Sequence, residues 1–298
     1  MSPRIIPTLL KETCYEWYAD RGSRLGAALA FYTLFSLAPL LIIITAMAAL
    51  AYGQEVAHAQ IMRQVEEVIG PDGAKAIRTV IENASRPSSG VAATLIGLAT
   101  LLFGATIVFS ELQDALNAIW KIPSRAERGM IIGIVRDRFL SFTMVLSLGF
   151  LLLMSMLANT VFAAITQDLG AILPGRRYIL STANTVLFFS IVTLLFAVIY
   201  KILPDTTILW RDVIVGAVAT ALLFLAGKFL IGLYLVYSSV VSVYGAAGSL
   251  VVVLVWMYYS AQIFYFGAEF TKVYATYKGH RTGSRQEGAA VTLGGGLE

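Results

Sequence analysis

Cysteine and histidine are almost absent from this chain of 298 residues, with one Cys and two His. The single thiol, Cys14, cannot close an intramolecular disulfide or supply a cysteine metal cluster, and it reads as a small, partly buried side chain. With so few ligating side chains, no metal centre, no cofactor and no catalytic set is expected. A metal-dependent nuclease site is poorly supported. Charge is scarce as well: 13% of residues are Asp, Glu, Lys or Arg, against about 25% in an ordinary soluble domain. That excludes the pair of soluble domains that length alone would suggest. No secretory signal pattern precedes the first apolar run.

Apolar residues fill the space, at 58% of the chain. They gather into six runs near 27–52, 90–112, 139–166, 180–202, 212–236 and 246–270. A helix rises about 1.5 Å per residue, so roughly 20 apolar residues cross a hydrocarbon core of about 30 Å. Water is absent there, and each run must satisfy its own backbone as a helix. The reading is an all-α, polytopic membrane protein: a bundle of six transmembrane helices.

The charges between the runs set its orientation. Fifteen Lys and Arg lie in segments 1–26, 113–138, 201–211 and 271–298, and six lie in 53–89 and 167–179. Basic residues favour the cytoplasmic side, so both termini are expected in the cytoplasm of a bacterial inner membrane. The same bias explains the net charge of +4 without invoking nucleic acid. It also puts His58 outside and His280 inside, where they cannot share a site. Three regions follow: a cytoplasmic amphipathic segment at 1–26, a membrane domain at 27–270 with an external helical loop at 53–89, and a cytoplasmic tail at 271–298, disordered from 282.

Local patterns refine this outline. Lys11 to Arg24 reads as an interfacial amphipathic helix, with Tyr15, Trp17 and Tyr18 suited to headgroups. Gly26, Ala27, Ala28 and Ala30 open the first span with small residues that permit close helix approach. Pro39 should kink it. In the external loop, two short amphipathic helices are separated by Gly70-Pro71-Asp72-Gly73. Asp212 suits a helix N-terminus, by capping or by pairing with Arg211.

Several separated stretches carry a family pattern. RLGAALAFYTLFSLAPLL lies near the start; LPDTTILWRDVIVGAVATALLF, GKFLIGLYL and VYGAAGSLVVVLVWMYYSAQIFYFGAEFTKVYA follow in the second half. In this order they closely resemble the YihY/BrkB family of bacterial inner-membrane proteins, over roughly residues 8–278. The resemblance implies six transmembrane helices with cytoplasmic termini, which the charge count reaches independently. It implies no settled activity. The family carries an old ribonuclease label generally regarded as a misassignment, a virulence-factor label from one member, and a suggestion of envelope-component transport or flipping for relatives. Lys228 departs from a pattern that often shows Arg, which weakens bidentate recognition while keeping the charge.

Two features point toward chemistry. Tyr258, Gln262, Tyr265 and Glu269 fall on one face of the sixth span. They form either an interhelical hydrogen-bond network or the polar lining of an inward cavity. Glu111 and Asp114, at similar depth on the second span, extend this into a possible cytoplasmic acidic cluster, or are simply solvated. Lys228 lies about 13 Å from the outer end of the fifth span, where an ammonium costs about 2.5–3.5 kcal/mol. Ala217, Ala221 and Gly232 share its face, and Asn159 and Asn184 lie at comparable depth. Lys228 is either a structural lysine satisfied by amides, carbonyls or snorkelling, or an anion or lipid-headgroup site. The leading expectation is a non-enzymatic transporter or flippase-like protein for an anionic or amphipathic envelope substrate. The partners are membrane lipids and that lipid-like substrate, with no nucleic acid and the oligomeric state open. A non-transporting scaffold for envelope assembly is the alternative, and a membrane enzyme is third.

Overall fold

A computed structural model describes residues 5–84, 107–122, 176–237, 244 and 247–279, and every regular element among them is an α-helix. They are α1 (Ile6–Ala19), α2 (Gly22–Tyr52), α3 (Gln54–Ala84), α4 (107–119), α5 (Arg176–Ile202), α6 (Trp210–Tyr237) and α7 (Gly248–Tyr277). Within α5, α6 and α7, the stretches Thr185–Ile202, Trp210–Tyr234 and Gly248–Tyr277 are long and apolar enough to cross a membrane. The first expected span falls inside α2, which is 31 residues long. The third expected span, most of the second, and the tail beyond Gly279 lie outside the described residues, while 271–277 of the expected tail continue α7.

Local chemistry sets the helix ends. Pro7 sits in the first turn of α1, where its fixed φ is compatible and its missing N–H costs little. Arg21, at φ 55°, turns the chain sharply from α1 into α2. The amphipathic helix therefore spans Ile6–Ala19, and the expected extension to Arg24 becomes the first turn of α2. Leu9 and Thr13 are its buried face, against Phe270, Val273 and Tyr274 of α7 for Leu9. Tyr15 and Tyr18 point outward, as an interfacial helix requires. Cys14 is exposed beside them rather than partly buried, because the packed face runs through Leu9 and Thr13. The helix assigned as α3 is really two: Gly70 at φ 78°, ψ 174° breaks it, and Pro71 starts the second half. This is the division that Gly70-Pro71 predicts.

The hub is α7, which packs against α1, α2, α3 and α6, while α5 packs on α6. Its first half meets Leu41 of α2 and Ile77 and Ile81 of α3 through Val253. Its second half meets α1. Ser23 and Gly26, at the start of α2, meet Gln262 of α7. Hence α2 and α6 run away from the α1 end of the bundle, and α5 and α7 run toward it. The largest core lies between α4, α5, α6 and α7, around Leu116, Phe196, Tyr200, Ala217, Phe264 and Tyr265.

The α6–α7 seam is built from paired Gly and Thr. A Cβ on Gly216 would strike Thr271, and one on Gly267 would strike Thr220. Each threonine donates to the carbonyl of the glycine four residues earlier on its own helix: Thr220 to Gly216 at 2.8 Å and Thr271 to Gly267 at 2.7 Å. Small residues bring the backbones together, and the hydroxyls stay satisfied without water. Tyr200 of α5 closes the seam, donating to the Phe264 carbonyl at 2.7 Å and lying 3.2 Å from Thr220 Oγ1.

Candidate functional site: two charged stations in one bundle

The sixth-span stripe is divided by its surroundings. Tyr258 is 40% exposed, whereas Tyr265 is fully buried and Glu269 is 1% exposed. Between them, the Gln262 amide donates to the Ser23 carbonyl at 3.3 Å and packs on Gly26. A Cβ at position 26 would collide with this amide, so the small residue that opens α2 admits it. The stripe thus starts on the bundle surface and ends inside a closed polar cluster.

That cluster is centred on Lys272. Its ammonium lies 2.6 Å from Glu16 Oε2, 3.2 Å from Glu269 Oε2 and 3.6 Å from Asp20 Oδ2. The first two are hydrogen bonds; the third is an ion pair beyond hydrogen-bond reach. Lys121, just after α4, pairs with Asp20 Oδ1. Oxygens of Glu16, Asp20 and Glu269 lie within 4.8 Å of one another. Burial alone would raise the Asp20 carboxyl, but the hydrogen bond from Lys121 and the nearby Lys272 charge hold it below the ordinary value. Five buried polar atoms in this region have no hydrogen-bond partner among the described residues: Trp17 Nε1, Asp20 Oδ2, Gln262 Oε1, Tyr265 OH and Glu269 Oε1.

Glu111 is half-buried and Asp114 is exposed on α4, and neither belongs to the three-carboxylate group. The carboxylates that do join Glu269 come from α1 and its following turn. Their spacing carries a signal: Glu16 and Asp20 are four residues apart, and Glu269 and Lys272 three, so each pair shares a helical face. A second polar clamp fastens α4 to the α5–α6 loop. Asn117 Nδ2 donates to Asp205 Oδ2 at 3.0 Å, and the Asp205 N–H donates to Asn117 Oδ1 at 2.9 Å. Asp212 is buried in the first turn of α6.

Lys228 forms the other station. It is half-buried, with its ammonium 5.1 Å from the centroid of the Phe188 ring on α5. On its face Ala217 and Ala221 are fully buried, whereas Gly232 borders open space. Phe229, Leu230 and Leu233 beside it are exposed apolar residues of the kind that face lipid. No ion pair to Lys228 occurs among the described residues. Asn184 lies on α5 with its side chain outside the described residues, and Asn159 is outside them altogether.

The sequence matches a known family. A family profile described as virulence factor BrkB matches residues 13–291. The chain belongs to the BrkB family. Curated BrkB relatives are named UPF0761 membrane proteins. One from Pseudomonas aeruginosa is 28% identical over 257 residues, covering 85% of this chain and 59% of the relative. One from Azotobacter vinelandii is 29% identical over 261 residues, covering 84% and 59%. One from Psychromonas ingrahamii is 28% identical over 256 residues, covering 82% and 79%. The chain therefore spans 59% of the length of several of these relatives. No solved structure matches. The BrkB membership, the apolar helices and these relatives make this a membrane protein, and the regular elements among its described residues are helical.

Proposed function

We propose that this chain is a multi-pass inner-membrane transporter of flippase type, not an enzyme, and that it moves an anionic or amphipathic envelope component. The observation that carries this reading is Lys228. It lies deep in an apolar helix, and its described partner is the face of Phe188. An ammonium at such depth costs about 2.5–3.5 kcal/mol, and a cation–π contact returns about 0.5–2. The balance favours an anionic group arriving beside Lys228 along the apolar surface of Phe229, Leu230 and Leu233. The polar end of the stripe, at Gln262, Tyr265 and Glu269, would then serve the cytoplasmic side of the route.

The test is flipping in proteoliposomes, using fluorescent phosphatidylglycerol as the anionic probe and phosphatidylcholine as the neutral control. Preferential movement of the anionic probe is expected. Lys228→Met should fold and lose it, and Lys228→Arg should retain part. Full anionic flux in a well-folded Lys228→Met protein would remove the residue from the route. Wild-type vesicles with no substrate-dependent flux would return the chain to the scaffold reading.

A further inference from the structure

Charge counting around Lys272 leaves a remainder. Glu16, Asp20 and Glu269 bring three negative charges when ionised, and Lys121 and Lys272 bring two positive ones. Among the described residues, one surplus negative charge is left where Glu269 is 1% exposed and Lys272 and Asp20 have side chains 14% and 13% exposed. An uncompensated charge with so little water is costly, and such sites neutralise themselves. The hydrogen bonding shows where. Asp20 Oδ2 and Glu269 Oε1 are both buried, and neither has a hydrogen-bond donor among the described residues. Ionised carboxylates only accept, so two neighbouring carboxylates can bond to each other only when one carries a proton.

We propose that the Asp20–Glu269 carboxyl pair is a proton-binding site, in which one exchangeable proton bridges Asp20 Oδ2 and Glu269 Oε1 and ties the α1–α2 turn to α7. The remaining charged groups on the packed elements fit this state. Lys121 holds the other oxygen of Asp20, and Lys272 holds the other oxygen of Glu269 together with Glu16. Arg21 and Arg24 at the start of α2 are exposed, as is Asp114 on α4. Glu111 of α4 is half-buried and lies outside the three-carboxylate group. Asp212 is buried at the start of α6 and has its own partner. Asp20, which Lys121 and the Lys272 charge hold below its ordinary value, is the natural acceptor of the bridge. A divalent cation suits the site less well. Lys272 already occupies the centre of the three carboxylates, and a metal would have to displace it and sit beside Lys121. With the proton on, turn and helix are joined. With it off, two like charges repel across the same contact. Service as the coupling-ion site of a transporter rests on the transport reading; occupancy by a proton does not.

Infrared difference spectroscopy of the whole chain in lipid nanodiscs, titrated with pH, tests this. At neutral pH a carboxylic C=O band should be present and should shift in deuterated buffer. Glu269→Gln keeps the shape and supplies an N–H to Asp20, so it should fold and lack the band. Asp20→Asn balances two acids against two lysines, so Glu269 should ionise and the band should again vanish at neutral pH. That second loss separates a shared proton from a glutamic acid that is merely buried. A neutral-pH spectrum without the band, or a band unchanged in both variants, would overturn the proposal. So would stoichiometric Mn(II) binding, seen by electron paramagnetic resonance and lost in Glu269→Gln. If the band behaves as expected, the proton site stands, and a flux assay insensitive to a pH gradient counts against coupling alone.

Discussion

Replacing Lys272 by Met removes the ammonium from three carboxylates while keeping most of the stem volume. Breaking a buried ion pair by deleting one partner costs about 3–5 kcal/mol, because the other charge stays buried and unpaired. Here Glu269 is 1% exposed, but Glu16 has a side chain 30% exposed and can turn to water. Asp20 also keeps Lys121. The cost should therefore lie at the low end, about 3 kcal/mol. Lys121 is an internal control. Its side chain is 56% exposed, so Lys121→Met should cost less than about 1 kcal/mol, as exposed pairs do. The double variant Lys272→Met with Glu16→Gln removes one negative charge along with the lost positive one, and should recover part of the loss. The assay is unfolding by sodium dodecyl sulfate in mixed micelles, followed by far-ultraviolet circular dichroism. A Lys272→Met protein as stable as Lys121→Met would refute the reasoning, as would a double variant no better than the single one.

Two further outcomes follow from the geometry. The Asp20 carboxyl is held below its ordinary value, so its share of stability is full above the unfolded pKa of about 3.9 and is lost as pH falls through the lower folded value. The stability gap between wild type and Asp20→Asn should accordingly be level at neutral pH and shrink in acid; a gap that widens in acid would contradict this. At the α6–α7 seam, Gly216→Ala drives a methyl into Thr271 and should cost about 1–3 kcal/mol. Gly232→Ala meets nothing and should be neutral or stabilise by up to about 1 kcal/mol through helix propensity. Equal effects at the two positions, measured by the same denaturation, would argue against the seam.

What was legible in the sequence is what is encoded locally. Apolar runs placed α2, α5, α6 and α7, and Gly70-Pro71 placed the break in α3, because backbone conformation there depends on the residues themselves. The spacing of Tyr258, Gln262, Tyr265 and Glu269 gave a shared face. It did not give their environments, because each turn of α7 is covered by a different element. Tyr258 lies at the surface, Gln262 meets the start of α2, and Glu269 meets Glu16 and Asp20 through Lys272. Glu16, Asp20 and Lys272 were not singled out as site residues. A lysine after the last span reads as a topology signal, and only the docking of α1 on α7 shows that it closes on three carboxylates. Asp205 was hidden similarly. It looks like a helix-flanking residue, yet its partner Asn117 is 88 positions away.

The two charged stations also differ in what can move between them. Gly227, next to Lys228, packs on Tyr259 of α7, ten residues before Glu269, or about 15 Å along the helix. Gly267 meets Thr220 between these levels and Thr271 meets Gly216 just past Glu269, with Tyr200 closing the contact. Every hydroxyl in that seam is satisfied, and a shift along it would break these bonds and drive Cα against side chain, so α6 and α7 act as one body. The α1–α2 elbow is joined differently. It is held by Gln262 at 3.3 Å, by ion pairs, and by carboxyl oxygens that bond only through a proton. A change of charge at Glu269 therefore bears on the elbow and leaves the seam intact. Any gating motion in this bundle should move α1 and the start of α2 against a fixed α5–α6–α7 unit, with Lys228 on the fixed side.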